Sequence, residues 1–270
     1  MIPFDFSYHH PDSVAEAVAS YRRLERAGLE PVYYGGGTEI ITLARQGQLR
    51  TGAVIDLKGV PECRALTCRD GSVLLGAGLT LAEVGERGGW APLAEAVGRI
   101  ADHTSRCRIT LGGNLAGQLP YREAVLPLLL VDTVAVVAGD GGLRRVRLAD
   151  VFRGSLRLAP GTFLAQLEVP LDEADGPHFA SKRTRLDWVD YPLLTLVGVR
   201  AGGRVRMAFS GLCGHPFRDP AMERDLQAGR IEDAIGHIPG PVVDDLHGSA
   251  DYRRHVLAGT LHDALEVLRA

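Results

Sequence analysis

The sequence predicts a globular protein of mixed helices and strands in two parts. Strand-like apolar segments alternate with amphipathic, helix-like segments over the longer N-terminal part. A segment rich in Pro, Gly and Asp, PLDEADGPH at 170–178, then forms the best linker in the chain. An apolar hairpin and several helices follow it. We therefore expect the architecture to change at this linker.

Composition narrows the classes of function. Hydrophobic residues make up 46% and charged residues 23% of the 270 residues, as in ordinary soluble domains. The formal net charge of -3 gives no basic surface for nucleic acid. Small-molecule chemistry or protein partners are therefore favoured.

The sequence carries no evident targeting or metal signal. The N-terminal segment has no basic stretch followed by an apolar one, so we expect a cytoplasmic protein. Pro127 and Asp132 interrupt the longest apolar segment, which predicts no membrane span. The four cysteines lack a C-x-x-C pair and the nine histidines lack ligand spacing. We therefore expect neither an iron–sulfur cluster nor another metal site in this chain.

The N-terminal segments predict a small β-α-β unit. FDFSY is a candidate strand, and the helix after it begins at a capping box of Ser13 and Glu16 and ends at Gly28. PVYYGGG then runs from a strand into a loop, residues 38–46 are predicted to be helical, and GAVIDL is predicted to be a buried strand. These last three segments form the unit.

The following segments continue the mixed pattern. SVLLGAG predicts a strand, and Thr80 with Glu83 caps the helix after it. Further helices are predicted over PLAEAVGRIADH and LPYREAVLPLLL. One hairpin turns at 140–142, GTFLAQLEVP adds a strand, and a second hairpin turns at 202–203. Helices are expected from there to the C-terminus.

Two glycine clusters are the strongest functional signals in the residues themselves. The first reads G-G-G-T-E at 35–39, and the second reads T-L-G-G-N at 110–114. Consecutive glycines are entropically costly, so a fold keeps them where φ is positive or where another group touches the main chain. Neither cluster is a P-loop or a dinucleotide fingerprint.

The glycine clusters allow two interpretations. They can present successive backbone N–H groups to a diphosphate, with Thr38, Thr110 and Asn114 adding neutral hydrogen bonds. Alternatively, they are two unrelated tight turns. Spacing alone leaves both interpretations open.

Several motifs in a fixed order resemble the FAD-binding medium subunit of the molybdenum hydroxylases, the family of xanthine dehydrogenase and carbon monoxide dehydrogenase. FSYHHPDSVAEA leads here to YGGGTEI, as F-x-Y-x-x-P-x-S-x-x-E-A leads to A-G-G-T-D-L in the family. ITLGGNLA matches the family's G-T-I-G-G-N-L-A. The match continues through VRLADVF, GTFLAQLEVP, FSGLCGHPFR and GSADYRRHVLAGTL. The resemblance thus covers nearly the whole chain.

This resemblance implies an α+β fold. It places an FAD-binding domain of the vanillyl-alcohol-oxidase or PCMH-like type at 1–172, made of two α/β subdomains at about 1–57 and 58–172. A C-terminal flavoprotein domain of antiparallel sheet and helices is expected at 177–270.

The resemblance also implies a set of FAD-binding positions. The first glycine cluster surrounds the FAD diphosphate, and the second contacts the same cofactor. Arg106 stands for a family arginine, and Glu123 stands for a family Asp that bonds the FAD sugar. Near the isoalloxazine ring, Lys182 and the pair of Asp190 and Tyr191 match a basic residue and an Asp-aromatic pair. The expected cofactor-binding residues are Tyr34, Gly35, Gly36, Gly37, Thr38, Glu39, Arg106, Thr110, Gly112, Gly113, Asn114, Glu123, Lys182 and Asp190.

The implied function is electron transfer within an oxidoreductase complex. A large subunit would oxidise the substrate at a molybdopterin centre, and a small subunit would carry the electrons through iron–sulfur clusters. FAD on this chain would pass them to an acceptor such as NAD or a quinone, so no catalytic side chain is expected. We expect Trp188 and Tyr191 to help form the docking surface for the iron–sulfur subunit, with 252–268 as the second candidate.

Two alternatives remain open. Tyr34 replaces a small residue of the family, and the segment 106–109 lacks the family's Asn and Gly. These changes would narrow the cofactor site, or Tyr34 would pack against the adenine or the core. In the first alternative the chain is a non-catalytic scaffold subunit that has lost FAD. The second alternative is a free-standing flavin oxidase, for which we find no supporting motif.

Overall fold

The computed structural model describes residues 2–171, 176–186 and 189–270, and its fold is α+β as predicted. The strands are β1 (Ser7–His9), β2 (Val32–Tyr34), β3 (Ala53–Asp56), β4 (Leu66–Arg69), β5 (Ser72–Gly76), β6 (Val134–Gly139), β7 (Gly142–Arg147), β8 (Phe163–Pro170), β9 (His178–Thr184), β10 (Pro192–Ala201), β11 (Arg204–Ser210) and β12 (Phe217–Arg218).

The helices cover the faces and edges of the sheets. They are α1 (Val14–Arg26), α2 (Thr38–Arg45), α3 (Pro61–Arg64), α4 (Leu81–Arg87), α5 (Ala91–Gly98), α6 (His103–Arg106), α7 (Leu111–Ala116), α8 (Val125–Leu128), α9 (Leu148–Val151), α10 (Pro220–Gln227), α11 (Ile231–Ile235) and α12 (Ala250–Arg269), with a 3₁₀ turn at Leu57–Gly59. Within the described ranges, no helix has both the length and the apolar composition needed to cross a bilayer.

The first sheet is parallel and contains the predicted β-α-β unit. Its strand order is β1-β3-β2, with α2 connecting β2 to β3. Every residue of β3 is buried, as the apolar run predicted. The buried side of α1, which includes Val14, Ala17, Val18 and Leu24, packs in one core with this sheet and with β6 and β8 of the next. The first sheet is therefore fixed to the second through a shared core.

The second sheet is antiparallel, with strand order β4-β5-β8-β6-β7. The predicted hairpin of β6 and β7 forms, and the predicted capping box at α4 is present. Two predicted helices are shorter than expected. In the segment predicted as one helix over 92–103, the helix ends at Gly98, and the segment over 119–130 is helical only at Val125–Leu128. The positive φ angles of Ala101 (47°) and Arg122 (34°) take the backbone out of the helical region there.

The third sheet is antiparallel and forms the C-terminal part, with strand order β12-β11-β10-β9. Leu194 and Leu196 of β10 face a core with the helices α10, α11 and α12. Val197 and Val199 of the same strand join the core of the second sheet and its helices. Because β10 is buried on both faces, it holds the C-terminal part against the rest of the chain. The edge strands β9 and β4, both rich in polar residues, were not predicted.

A single buried arginine ties the C-terminal loops together. Arg253 of α12 is 1% exposed, and its guanidinium donates to the carbonyl oxygens of Leu193 (2.8 Å) and Gly211 (3.0 Å). It also pairs with the carboxylate of Asp245 at 2.6 Å. A buried guanidinium with this many acceptors leaves several polar groups unpaired if it is removed.

We expect Arg253→Met to lower the free energy of unfolding by roughly 3–5 kcal/mol, because it removes the charged partner of Asp245 and leaves the buried carbonyl groups of Leu193 and Gly211 without this donor. Urea unfolding followed by circular dichroism measures this change. The matched control is Arg254→Met, since Arg254 forms an exposed ion pair with Asp251 and its loss should cost less than about 1 kcal/mol. Equal effects of the two variants would contradict the role of Arg253.

Candidate functional site

A cleft of about 540 Å³ lies between the first sheet, the helical segments that follow α5, and the third sheet. Its walls are the end of β2 with α2, the segments around α6 to α8, and residues of β9 with the segment before β10. The lining residues are Val32, Tyr33, Gly35, Gly36, Gly37, Thr38, Glu39, Ile40, Leu43, Leu49, Ile100, Ala101, Ser105, Ile109, Thr110, Gly113, Asn114, Ala116, Gly117, Gln118, Leu119, Tyr121, Arg122, Glu123, Lys182, Val189, Asp190 and Tyr191.

The first glycine loop, Gly35–Gly37, offers backbone donors to the cleft. Gly37 has a φ of 73° and is the N-cap of α2, so the loop turns directly into the helix. Within the described chain, the N–H groups of Gly35, Gly36 and Gly37 have no hydrogen-bond acceptor. The first N–H groups of α2 likewise lack an intrahelical acceptor, as at any helix N-terminus. Together these donors form a cradle for an anionic group.

The second glycine loop, Thr110–Asn114, uses its donors within the protein. Thr110 caps α7, and its hydroxyl accepts from the N–H of Gly113 at 3.1 Å. The N–H of Gly112 donates to the carbonyl oxygen of Ala77, and that of Asn114 donates to the carbonyl oxygen of Thr110, both at 2.8 Å. This loop is therefore a wall of the cleft, while the first loop carries the unpaired N–H groups.

The two loops touch, and this contact explains two of the three consecutive glycines. A Cβ added at Gly36 would overlap the carbonyl oxygen of Arg108. A Cβ added at Gly35 would lie 2.7 Å from the hydroxyl oxygen of Thr110. At Gly37 the obstacle is the ring of Tyr34. The group that approaches this backbone so closely is thus the protein itself.

Glu39 joins the first loop's helix to the segment after the second loop. Its carboxylate accepts from the N–H of Gln118 at 2.8 Å and from the N–H of Leu119 at 3.2 Å. Gly117 packs directly against the same carboxylate. Glu39 therefore fixes the width of this end of the cleft.

A buried polar group forms the wall toward the C-terminal sheet. The Glu123 carboxylate accepts from the Thr195 hydroxyl at 2.6 Å and lies 3.5 Å from the Lys182 ammonium. Lys182 also donates to the carbonyl oxygen of Arg99 at 3.1 Å. Burial raises the pKa of Glu123, and the neighbouring ammonium opposes this rise. The Asn114 amide oxygen accepts from the N–H of Ala124, which positions the segment that carries Glu123.

Aromatic side chains lie at the mouth of the cleft. Tyr191 stacks on Tyr121 with ring centroids 5.0 Å apart, and His247 meets the Tyr191 ring edge-on at 6.3 Å. Asp190 accepts a hydrogen bond from the N–H of Tyr191 at 2.7 Å. The expected pair of Asp190 and Tyr191 therefore does face the cleft.

The structure brings most of the predicted residues together on this one cleft. Those on its walls are Gly35, Gly36, Gly37, Thr38, Glu39, Thr110, Gly113, Asn114, Glu123, Lys182 and Asp190. Residues that sequence reasoning missed are mainly apolar, and they flank the glycine loops: Ile40, Leu43, Leu49, Ile100 and Ile109. No motif marks these positions, because apolar residues beside a loop are as common in a core as in a cofactor site.

Three predicted residues do not line the cleft, and the structure gives each a packing role. The ring of Tyr34 lies against Gly37, on the other side of the loop from the cleft, and burial raises the pKa of its phenol. Arg106 donates to the carbonyl oxygens of Ile100 and Ala101, which holds the chain at its turn after α5. Gly112 packs on Ala77, where a Cβ would lie 2.7 Å from the alanine methyl group.

The cleft fits a dinucleotide-like cofactor with a diphosphate. It places the unpaired donors of the first glycine loop next to an apolar compartment that suits an aromatic ring. Within the described ranges, the lining contains neither histidine nor cysteine, so no side chain there offers a covalent attachment to a flavin. Fold and site together are those of a protein that can hold a phosphate-bearing aromatic cofactor.

Comparison with known proteins specifies this class. Residues 4–172 match the family described as the FAD binding domain in molybdopterin dehydrogenase. The chain belongs to this family, and its cofactor is FAD. The predicted family is confirmed, and the chain is a component of an oxidoreductase.

Individual relatives agree with the family. The chain is 28% identical over 283 residues to the carbon monoxide dehydrogenase medium chain of Hydrogenophaga pseudoflava, covering 94% of this chain and 93% of that one. It is 23% identical over 216 residues to the nicotinate dehydrogenase FAD-subunit of Eubacterium barkeri, covering 77% and 71%. The solved carbon monoxide dehydrogenase from Hydrogenophaga pseudoflava that lacks the Mo-pyranopterin moiety aligns with a TM-score of 0.87 at 26% identity, covering 99% and 98%.

The contact between the glycine loops gives a direct prediction. Gly36→Ala should destabilise the chain by roughly 1–3 kcal/mol and weaken FAD binding, because the added methyl group pushes the first loop off the Arg108 carbonyl. Thermal unfolding and flavin titration measure the two effects. In the control Gly98→Ala, the new Cβ meets nothing within 4 Å, so both quantities should stay near wild type. A fully stable Gly36→Ala chain with normal FAD affinity would refute the packing argument.

Proposed function

We propose that this chain is the FAD-bearing electron-transfer subunit of a molybdopterin-dependent dehydrogenase. The observation that carries the proposal is the cradle of unpaired N–H groups at the first glycine loop, beside an apolar cleft, in a chain of this family. FAD supplies the redox chemistry when bound, and the protein supplies binding and orientation.

Each wall of the cleft has a distinct part in holding the cofactor. The N–H groups of Gly36, Gly37 and Thr38 would bind the diphosphate. The carboxylate of Glu123 is already engaged by Thr195 and Lys182, so it would orient Lys182 and the C-terminal sheet as well as meet a cofactor hydroxyl. Tyr191 and Asp190 would close the mouth on the ring side.

The partners follow from the relay that the family implies. Electrons would come from a large molybdopterin subunit through a small iron–sulfur subunit, and they would leave the flavin for an acceptor such as NAD or a quinone. Two named relatives, of carbon monoxide and nicotinate dehydrogenase, are a medium chain and an FAD-subunit. Substrate choice would therefore belong to another subunit, because similar flavin chains serve different substrates.

An apolar rim at the mouth of the cleft is the candidate docking surface for the iron–sulfur subunit. Its exposed side chains are Leu119, Leu186, Val189, Tyr191, Leu246 and Tyr252. The Arg185 guanidinium donates to the carbonyl oxygen of Leu246, which ties the two outer segments together. Leu186 is 83% and Leu246 is 89% exposed, and exposed apolar clusters of this kind mark interaction sites. Trp188, expected to contribute here, lies outside the described residues.

The scaffold alternative is not favoured. Tyr34 does not enter the cleft, and the altered segment 106–109 meets the first loop through the main chain of Arg108. Within the part of the chain that the structure describes, the donors of the first loop remain unpaired, as a working cofactor site requires. The alternative of a free-standing oxidase is also not favoured. Relatives that match most of this chain are named as a medium chain and an FAD-subunit of dehydrogenases.

The purified chain should carry FAD that acid or heat releases intact, since the described cleft has no histidine or cysteine for a covalent link. The visible spectrum before and after denaturation, with mass analysis of the released flavin, tests this. A colourless chain that stays colourless with excess FAD would overturn the proposed function and restore the scaffold alternative.

The docking surface predicts a separation between assembly and cofactor content. The double variant Leu186→Asp with Leu246→Asp should lose copurification with the iron–sulfur subunit and keep its FAD, because the rim lies outside the cradle. Leu143→Asp, on the exposed face of β7, is the matched control and should assemble normally. An intact complex with the double variant would place the docking face elsewhere, with α12 as the next surface to test.

A further inference from the structure

Lys58 stands behind the first glycine loop, on the side away from the cleft. Its ammonium donates to the carbonyl oxygen of Gly35 at 2.9 Å and pairs with the Asp56 carboxylate at 2.5 Å. It also lies over the ring of Tyr34, 4.8 Å from the centroid. Sequence reasoning gave Lys58 no role, and it does not line the cleft.

The network around Lys58 holds the ammonium in place. The Asp56 side chain is 4% exposed, and it accepts from the Tyr8 hydroxyl at 2.6 Å and from the Lys58 N–H at 3.0 Å. Although burial opposes ionisation, the hydrogen bonds from Lys58 and Tyr8 lower the pKa of Asp56. The Tyr34 ring contacts both this cation and Gly37. Strands β1 and β3 and the end of β2 thus converge on one lysine.

The carbonyl group that Lys58 contacts belongs to the same peptide unit as the N–H of Gly36. A charged donor on the carbonyl oxygen polarises the peptide, and a polarised peptide has a more strongly donating N–H group. The Gly36 N–H has no acceptor within the described chain and belongs to a residue of the cleft wall. The charge of Lys58 therefore acts on the cleft through one peptide bond, without entering it.

We propose that Lys58 is a positioning residue for the cofactor's diphosphate, which fixes the first glycine loop and polarises the Gly35–Gly36 peptide toward the anion. This inference rests on the proposed FAD-binding function. It accounts for a diphosphate site whose loop carries no basic side chain of its own, since the positive charge sits behind the loop.

The test compares variants of Lys58 in the full chain after its FAD has been removed. Lys58→Met removes the hydrogen bond and the charge, Lys58→Gln keeps a neutral donor, and Lys58→Arg keeps the charge. FAD affinity is measured by quenching of flavin fluorescence, and riboflavin serves as the probe without a diphosphate. The unfolding temperature of each FAD-free chain reports loss of structure separately.

Lys58→Met should weaken FAD binding about tenfold, as expected for loss of a charge-assisted hydrogen bond. Lys58→Gln should weaken it less, and Lys58→Arg should come closest to wild type. Riboflavin affinity should change little in any of the three. Arg45→Met removes an exposed cation from the far end of α2 and controls for general attraction of an anion. It should leave FAD affinity unchanged.

Several outcomes would overturn the inference alone. These are FAD affinity within twofold of wild type in Lys58→Met, equal losses of FAD and riboflavin affinity, or an equal loss in Arg45→Met. Wild-type affinity in Lys58→Gln would refute the role of the charge. If Lys58→Met does not fold, Lys58→Gln and Lys58→Arg still separate charge from hydrogen bonding. A wild-type chain that takes up no FAD would overturn the proposed function as well.

Discussion

The contact between the first glycine loop and residues 108–110 is the constraint on which the site depends. It requires the absence of a side chain at Gly35 and Gly36, because the Thr110 hydroxyl and the Arg108 carbonyl occupy that space. The same contact joins the parallel first sheet to the helical segments of the second. The N–H groups of the first loop have no partner in the described chain, and their residues line the cleft. Packing of two loops thus creates the donors that an anionic cofactor needs.

The C-terminal sheet completes the cleft through buried polar contacts. Glu123 from the segment before α8 meets Lys182 of β9 and Thr195 of β10, and the Glu123 and Lys182 side chains are each 6% exposed. Buried charged groups are costly when they lose a partner, so this arrangement fixes one position of the sheet relative to the glycine loops. Two of these residues, Glu123 and Lys182, also line the cleft. We therefore expect a substitution in the C-terminal sheet to affect the glycine loops, and the reverse.

Much of this architecture could be predicted from the sequence, and the remainder depends on tertiary contacts. Glycines, capping residues and apolar runs gave α1, α2, β3 and both hairpins, because their signals are local. The helix predicted over 119–130 is mostly absent, since the positive φ of Arg122 and the burial of Glu123 are set by neighbours distant in sequence. The order of the motifs that resemble the family identified the two glycine loops at 35–39 and 110–114. The division between a donating first loop and a satisfied second loop depends on Ala77 and on the Thr110 cap, and sequence spacing does not show it.

The most direct measurement of the central claim is the response of individual backbone amides to cofactor binding. Nuclear magnetic resonance of the isotope-labelled chain would follow the amide protons of Gly36, Gly37, Gly112 and Asn114 during titration with FAD and with riboflavin. We predict that the amides of Gly36 and Gly37 move strongly downfield with FAD and little with riboflavin, as expected for new hydrogen bonds to a diphosphate. The amides of Gly112 and Asn114, already bonded to protein carbonyl oxygens, should move little with either ligand. The opposite pattern, with the second loop responding and the first loop unchanged, would contradict the account.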